Sequence, residues 1–233
     1  MVKAELVKRS PLRLLEQSIH GGLGKGNIAV LASPKGVGKT ACLVHIATEK
    51  LIQGKPVIHV SYSSRVDYII NWYEDIYKEL AKNRKPLAEG NLHDEIVKNR
   101  VIMNFKQEGT RTEQVLKSVE AMITFGKFAA DTIIVDGYDF NRPACDDLRK
   151  FKEFGGKLGL ETWFSASLKE TDGPLFDDKG IPCVLNPICA EIDVLITLHS
   201  RGSFVELKVV KDREYPPPGP LPLKLDPKTL LII

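Results

Sequence analysis

The stretch "LASPKGVGKTACLVHIA", Leu31–Ala47, decides the reading of this chain. An apolar run ending in turn residues, "NIAVLAS", leads into it, and residues of helical composition, Lys39 to Leu51, lead out. Between them lies the pattern G-x-x-x-x-G-K-[ST] with a serine in place of its first glycine: Ser33, Pro34, Lys35, Gly36, Val37, Gly38, Lys39, Thr40. A loop that holds phosphates must turn tightly, converge its N–H groups on the oxygens and point a helix N-terminus at them. Gly36 and Gly38 permit the left-handed backbone and close approach that this needs. Pro34 has no N–H, but it stands at the loop's start. Lys39 places a cation between the β- and γ-phosphates, and Thr40 offers a hydroxyl to Mg²⁺. The candidate binding set therefore runs from Ser33 through Ala41. Its partner carboxylate should end another apolar strand, and "TIIVD" delivers Asp136, which would hold the Mg²⁺ shell through water opposite Thr40.

Outward from the loop, strands and helices alternate. "PVIHVSY" reads as a second strand and "RVIMNF" as a third. From Arg65 to Ala81 the apolar residues Val66, Ile69, Ile70, Tyr73, Ile76, Tyr77 and Leu80 fall at helical spacing, and Glu113 to Phe125 repeats that spacing. "DTIIVDGYD" is a fourth strand, and "LETWFSAS" a fifth after a helix around Asp146–Phe154. "DVLITLH" and "FVELKVVKD" follow closely, and "LPLKLD" adds an edge strand. This order predicts an α/β fold: a mostly parallel twisted sheet with helices on both faces and antiparallel strands at the C-terminal edge. "EYPPPGPLPL", Glu214 to Leu223, denies backbone donors and predicts a rigid loop. The 233 residues fit one domain, 1–233.

The apolar fraction of 43% and charged fraction of 27% are those of an ordinary soluble protein. A net charge of +3 does not by itself argue for nucleic acid or an anionic membrane. Cys42, Cys145, Cys183 and Cys189 form no C-x-x-C pair and read as buried small hydrophobes in a reducing compartment. His20, His45, His59, His93 and His199 show no metal spacing, and Trp72 falls on or beside the apolar face of its helix. No signal peptide or membrane span is evident, so a cytoplasmic location without membrane partners is expected.

"GGLGKGNIAVLASPKGVGKT", Gly21 to Thr40, resembles the entry of the RecA/KaiC/DnaB-type ATPases, and "FVELKVVKDREYPPPGPLPLKLD", Phe204 to Asp226, resembles that group's closing hairpin. The resemblance covers nearly the whole chain in order. It implies a RecA-like P-loop fold, ATP and Mg²⁺ as ligands, and a homo-oligomeric ring or filament. Lys211-Asp212-Arg213 stands in the place of the family's K-x-R motif. It would give Lys211 and Arg213 a catalytic role beside Lys39, reaching a neighbouring subunit's γ-phosphate. The other reading of the pair is two solvated charges on an edge strand.

The departures from the family lie around the water that would attack. Where the family carries one or two glutamates after the second strand, this chain has Ser63 and Ser64, and the register of that pair is open by one residue. A serine hydroxyl is no useful base near neutral pH. Gly137 follows Asp136, and Ala166 stands where related proteins place a γ-phosphate-sensing glutamine, flanked by Ser165 and Ser167. Asp139 and Glu161 are the substitutes within reach of the sequence argument. Phosphate binding is thus read as retained and water activation as lost. The expected function is a Mg·ATP-binding assembly or switch module with slow or absent hydrolysis. The alternatives are an active ATPase on nucleic acid with a displaced base, and a scaffold that kept the fold without the nucleotide. "KETDGPLFDDKGIPCVLNP", Lys169 to Pro187, reads as a long loop too acidic for good phosphate contact, which weakens the nucleic-acid reading. Lys82 to Arg100 reads as a solvated surface connection. ATP over GTP rests on the resemblance alone.

Overall fold

The computed structural model describes residues 10–63, 65–83, 92–169, 173–218 and 221–233. The chain begins there with helix α1, Pro11–Ser18, which the sequence reading passed over. Ser10 caps it by accepting a hydrogen bond from Leu12 N at 3.2 Å, and Pro11 fills the first turn, where its missing N–H costs nothing. The core elements follow in alternation: β1 Ile28–Pro34, α2 Lys39–Ile52, β2 Val57–Ser61, α3 Val66–Asn83, α4 Leu92–Lys98, β3 Arg100–Asn104, α5 Thr112–Thr124, β4 Thr132–Asp136, α6 Cys145–Leu158 and β5 Glu161–Leu168. A 3-10 helix, Cys183–Glu191, then leads to β6 Val194–Ser200, β7 Val205–Asp212 and β8 Lys224–Leu225.

The eight strands form one sheet in the order β3-β2-β4-β5-β1-β6-β7-β8. β1 to β6 run parallel, and β7 and β8 are antiparallel at the edge. The predicted α/β class, parallel sheet and antiparallel C-terminal edge are therefore all present. β1 pairs with β5 on one side and β6 on the other. Strands placed so that connections leave in opposite directions open a crevice beyond their C-terminal ends, the usual ligand position in such sheets.

The central strands β1, β2 and β4 are buried on both faces, which is why they read as unbroken apolar runs. One core lies under α1 to α4 and includes Leu15, Leu43, Ile69, Tyr73, Ile76 and Leu80. The other lies under α5, α6 and the 3-10 helix, with Val115, Val119, Leu148, Phe151, Phe164 and Leu185. Of the stripe predicted for α3, Ile69, Tyr73, Ile76 and Leu80 are buried and Tyr77 packs against them, whereas Ile70 is turned outward and exposed.

Two expected surface stretches are more ordered than their composition suggests. Within Lys82 to Arg100, Lys82 still belongs to α3 and Arg100 opens β3, while Leu92–Lys98 forms α4, which buries Leu92 and Ile96. Part of Lys169 to Pro187 also departs from a plain loop. Asp177 Oδ1 accepts from Lys179 N and Ile181 N, both at 2.9 Å, closing a turn before the 3-10 helix. Leu185 and Ile188, three residues apart, pin that helix to the second core. Glu170 and Asp172, part of the acidic reading, lie outside the described residues. Of the cysteines, only Cys42 is fully buried; the other three are half-buried.

Candidate functional site

β1 ends at Pro34 and α2 starts at Lys39, so the loop between them sits at the C-terminal edge of the sheet. Gly36 and Gly38 adopt φ of 84° and 112°, which side chains rarely accept. A Cβ on Gly38 would also fall 2.3 Å from Leu225 Cδ2, so β8 backs the loop. No side chain caps the N-terminus of α2. Its first N–H groups face the loop with the positive end of the helix behind them.

Lys39 is only 7% exposed. Its ammonium donates to Pro34 O at 2.8 Å, Ser33 O at 3.0 Å and Ser33 Oγ at 3.2 Å. The serine at the one mismatched position thus supplies a ligand for the lysine. Burial pushes the Lys39 pKa down to about 8, and the nearby Asp136 charge opposes that shift.

Asp136 ends β4 and is buried. Thr40 Oγ1 donates to its Oδ2 at 2.9 Å, and Ser165 Oγ donates to its Oδ1 at 2.6 Å. Ser165 Oγ in turn accepts from Gly137 N at 2.8 Å. β5 lies between β1 and β4, so Ser165 is the side chain that spans the gap. A cavity of about 440 Å³ opens over these groups, a size typical of small-molecule sites. Lys35, Gly36, Gly38, Lys39, Thr40, Ala41 and Asp136 all line it. Of the predicted binding set, Ser33 and Pro34 hold Lys39 from behind, and Val37 packs against the core.

The expected gaps in catalytic machinery are partly redrawn. Ser63 lines the cavity, and its Oγ accepts from Arg65 N at 3.2 Å. Ser64 lies outside the described residues. Ala166 is fully buried in the second core, on the face of β5 away from the cavity, whereas Ser165 and Ser167 line the cavity. Alternation along the strand therefore makes Ser167, not Ala166, the residue at the cavity-facing end of β5. Glu161 is ruled out as a base: it starts β5, at the sheet's opposite edge, 2.8 Å from buried Lys50 and accepting from Thr132 and Trp163. Asp139 does not line the cavity. Hydrogen bonds from Asn141 hold its carboxyl below the usual range, the wrong direction for a neutral-pH base. Among the described residues lining the cavity, Asp136 is the sole carboxylate. An adjoining groove of about 460 Å³ shares Tyr62 and Ser63 with it and brings in Glu108, which no sequence pattern singled out.

Lys211 and Arg213 are not brought to the cavity. Lys211 Nζ donates to Cys189 O at 2.6 Å and Ile192 O at 2.5 Å, tying down the end of the 3-10 helix. Arg213 donates to the carbonyls of Gly22 at 3.1 Å and of Ile19, and to Asp212 Oδ1 at 3.0 Å. Both cations are thus engaged within their own chain rather than solvated.

Among the described residues, no three or more His, Cys, Asp or Glu side chains gather as a metal-holding group. One hydroxyl and one carboxylate nevertheless suit Mg²⁺, which keeps several waters and takes its other ligands from phosphates. Thr40 and Asp136 are such a pair, already in contact. No protein-family model matches this sequence, and a search of curated proteins returns no match. No described helix is long and apolar enough to cross a membrane.

Proposed function

We propose that this protein binds a magnesium nucleoside triphosphate, ATP in the first instance, at the loop Ser33–Thr40, and hydrolyses it slowly or not at all. The observation that carries this reading is the meeting of buried Lys39, Thr40 and Asp136 around one cavity at an uncapped helix N-terminus. Lys39 would give its ammonium to the phosphates, and Thr40 with Asp136 would hold Mg²⁺, whose charge supports the β- and γ-oxygens. Among the described residues lining the cavity, no carboxylate besides Asp136 is placed to orient and deprotonate water. A protein that binds the triphosphate and keeps it long suits an assembly or switch role.

The resemblance to RecA/KaiC/DnaB-type ATPases supports the same reading, and it suggests a ring or filament. In such an assembly Lys211 and Arg213 would act on a neighbour's nucleotide only after giving up the carbonyls they now hold. Calorimetric titration with Mg·ATP tests the binding, and mass measurement with and without Mg·ATP tests the assembly. No heat of binding and no retention on immobilised ATP would leave only a scaffold. An active enzyme is the second reading, favoured by one observation: Glu108 lines a groove that adjoins the cavity at Ser63. Steady-state turnover separates the two.

A further inference from the structure

The cavity has two chemically different walls. One is the loop with Lys39, Thr40 and Asp136. The other, supplied by the start of α3 and the end of β2, is Tyr62, Tyr68, Ile69 and Trp72. Ile69 belongs to the helix's inward stripe, but Tyr68 and Trp72 do not. Tyr68 is 51% exposed, and Trp72 is half-buried with one side against the core. Their rings meet edge to face, with centroids 6.0 Å apart and planes at 84°. That arrangement leaves a notch in which a third flat ring can lie parallel to one and edge-on to the other. Two large aromatic side chains at an open cavity forgo the burial that normally stabilises them. The wall carries no ammonium or guanidinium, so its main offering is ring face, with only phenol and indole donors besides.

Resting on the phosphate-site reading above, we infer that Trp72 and Tyr68 form a stacking platform for the base of the nucleotide. The ligand is then a nucleoside triphosphate rather than inorganic polyphosphate. Its recognition is by ring face: every base has a π-face, so stacking tolerates different bases, and purines, with the larger face, gain most. ATP and GTP should bind comparably, CTP and UTP more weakly, and tripolyphosphate, which has no ring, weakest.

The two tryptophans of the chain allow a direct test. Trp163 is buried and donates to Glu161 at 3.3 Å, but it stands two residues before cavity-lining Ser165 in β5, so a ligand-dependent emission change is assigned to Trp72 by its loss in Trp72→Phe. The full-length protein is titrated with Mg·ATP and with Mg·tripolyphosphate, by tryptophan emission and by calorimetry. ATP should quench emission and bind at least tenfold tighter than tripolyphosphate. In Trp72→Ala and in Tyr68→Ala the ratio of the two affinities should fall below threefold, and in Trp72→Phe it should largely persist. Tyr68 is exposed, so its variant keeps the test usable if Trp72→Ala does not fold. A wild-type ratio near one, or a tenfold ratio that survives both alanine variants, overturns the platform while leaving the phosphate site standing. Failure of both ligands to bind the wild type overturns the phosphate site and the platform together.

Discussion

Thr40 Oγ1 donates to Asp136 Oδ2 at 2.9 Å although β1, whose loop leads into Thr40's helix, and β4, which ends in Asp136, are not neighbours. β5 runs between them, and its Ser165 takes the other carboxylate oxygen at 2.6 Å. Two hydroxyls thus fix the carboxylate's rotamer from opposite sides. A metal ion arriving with phosphates would meet Thr40 and Asp136 already in place, with little reorganisation left to do.

Lys39→Ala removes the cation that the proposed site would give to the phosphates. It should weaken Mg·ATP binding at least tenfold, about 1.4 kcal/mol, by calorimetry. Thr40→Ala should act differently. It leaves the loop's cation intact and should raise the Mg²⁺ concentration needed for tight ATP binding, with a smaller effect on ATP alone. Equal, metal-independent losses in the two variants would mean that Thr40 does not serve the metal.

The Lys39 pKa, pushed down from 10.5 to about 8 by burial, makes binding depend on pH. Below about 8 the ligand-free protein carries the ammonium and needs no proton to bind phosphate. Above it the lysine is neutral, and binding must take up a proton. Affinity should be flat below pH 8 and then fall up to tenfold per unit, with proton uptake visible as a buffer-dependent heat. Fold stability should move the other way between about 8 and 10.5, because the unfolded chain there binds more protons than the folded one. Lys39→Met should abolish both trends.

Wild-type hydrolysis should fall well below the ordinary enzyme median of about 10 s⁻¹. Restoring a carboxylate after β2 by Ser63→Glu, or by Ser64→Glu in the alternative register, should raise turnover without tightening ATP binding, since a base acts mainly in the transition state. Because β5 presents Ser167 to the cavity, Ser167→Gln is the companion substitution. Ala166→Gln would instead force an amide into the core. Rapid wild-type turnover lost in Glu108→Ala would place the base in the adjoining groove.

Lys50 lies between Glu16 at 2.9 Å and Glu161 at 2.8 Å, and both Lys50 and Glu161 are buried. Lys50→Met leaves the Glu161 carboxylate without its cation and should cost about 3–5 kcal/mol in chemical denaturation. Adding Glu161→Gln to that variant should recover much of the loss, because the uncompensated charge is gone. Glu161→Gln alone should leave ATP hydrolysis unaltered.

Arg213→Ala should destabilise the monomer by about 2–3 kcal/mol, since it strips partners from the carbonyls of Ile19 and Gly22 and from buried Asp212. His20 Nδ1, 2.6 Å from Asp212 Oδ2, would be left as that carboxylate's remaining side-chain partner among the described residues. A thermal melt indistinguishable from wild type would return Arg213 to the role its sequence position suggests.

The strands were legible because a strand covered on both faces must be apolar throughout, as in "TIIVD" and "NIAVLAS". The loop was legible because glycine, lysine and threonine at fixed offsets have one geometric purpose. Side-chain direction was not. Nothing in "FSASL" says which serine faces the cavity until β5 is placed between β1 and β4, and that placement sends Ala166 to the opposite face. Pairing was equally hidden. Glu161, Lys211 and Arg213 read as charges available for chemistry, yet they have partners far away in sequence, as with Arg213 and Gly22, 191 residues apart. Short helices such as α1 and α4 gave too few turns for a period to stand out.

Leu225 backs Gly38, and Ile232 N donates to His45 Nδ1 at 2.8 Å, on the helix that the loop opens. Those contacts join residues as much as 187 positions apart. During translation the loop leaves the ribosome long before the residues that brace it. A nascent chain halted short of Leu225 would carry Gly38 without that side chain behind it, and on the proposed reading its grip on a triphosphate would tighten only as β8 is laid down. Released chains truncated before Leu225, probed for ATP capture, should retain less than the full chain does.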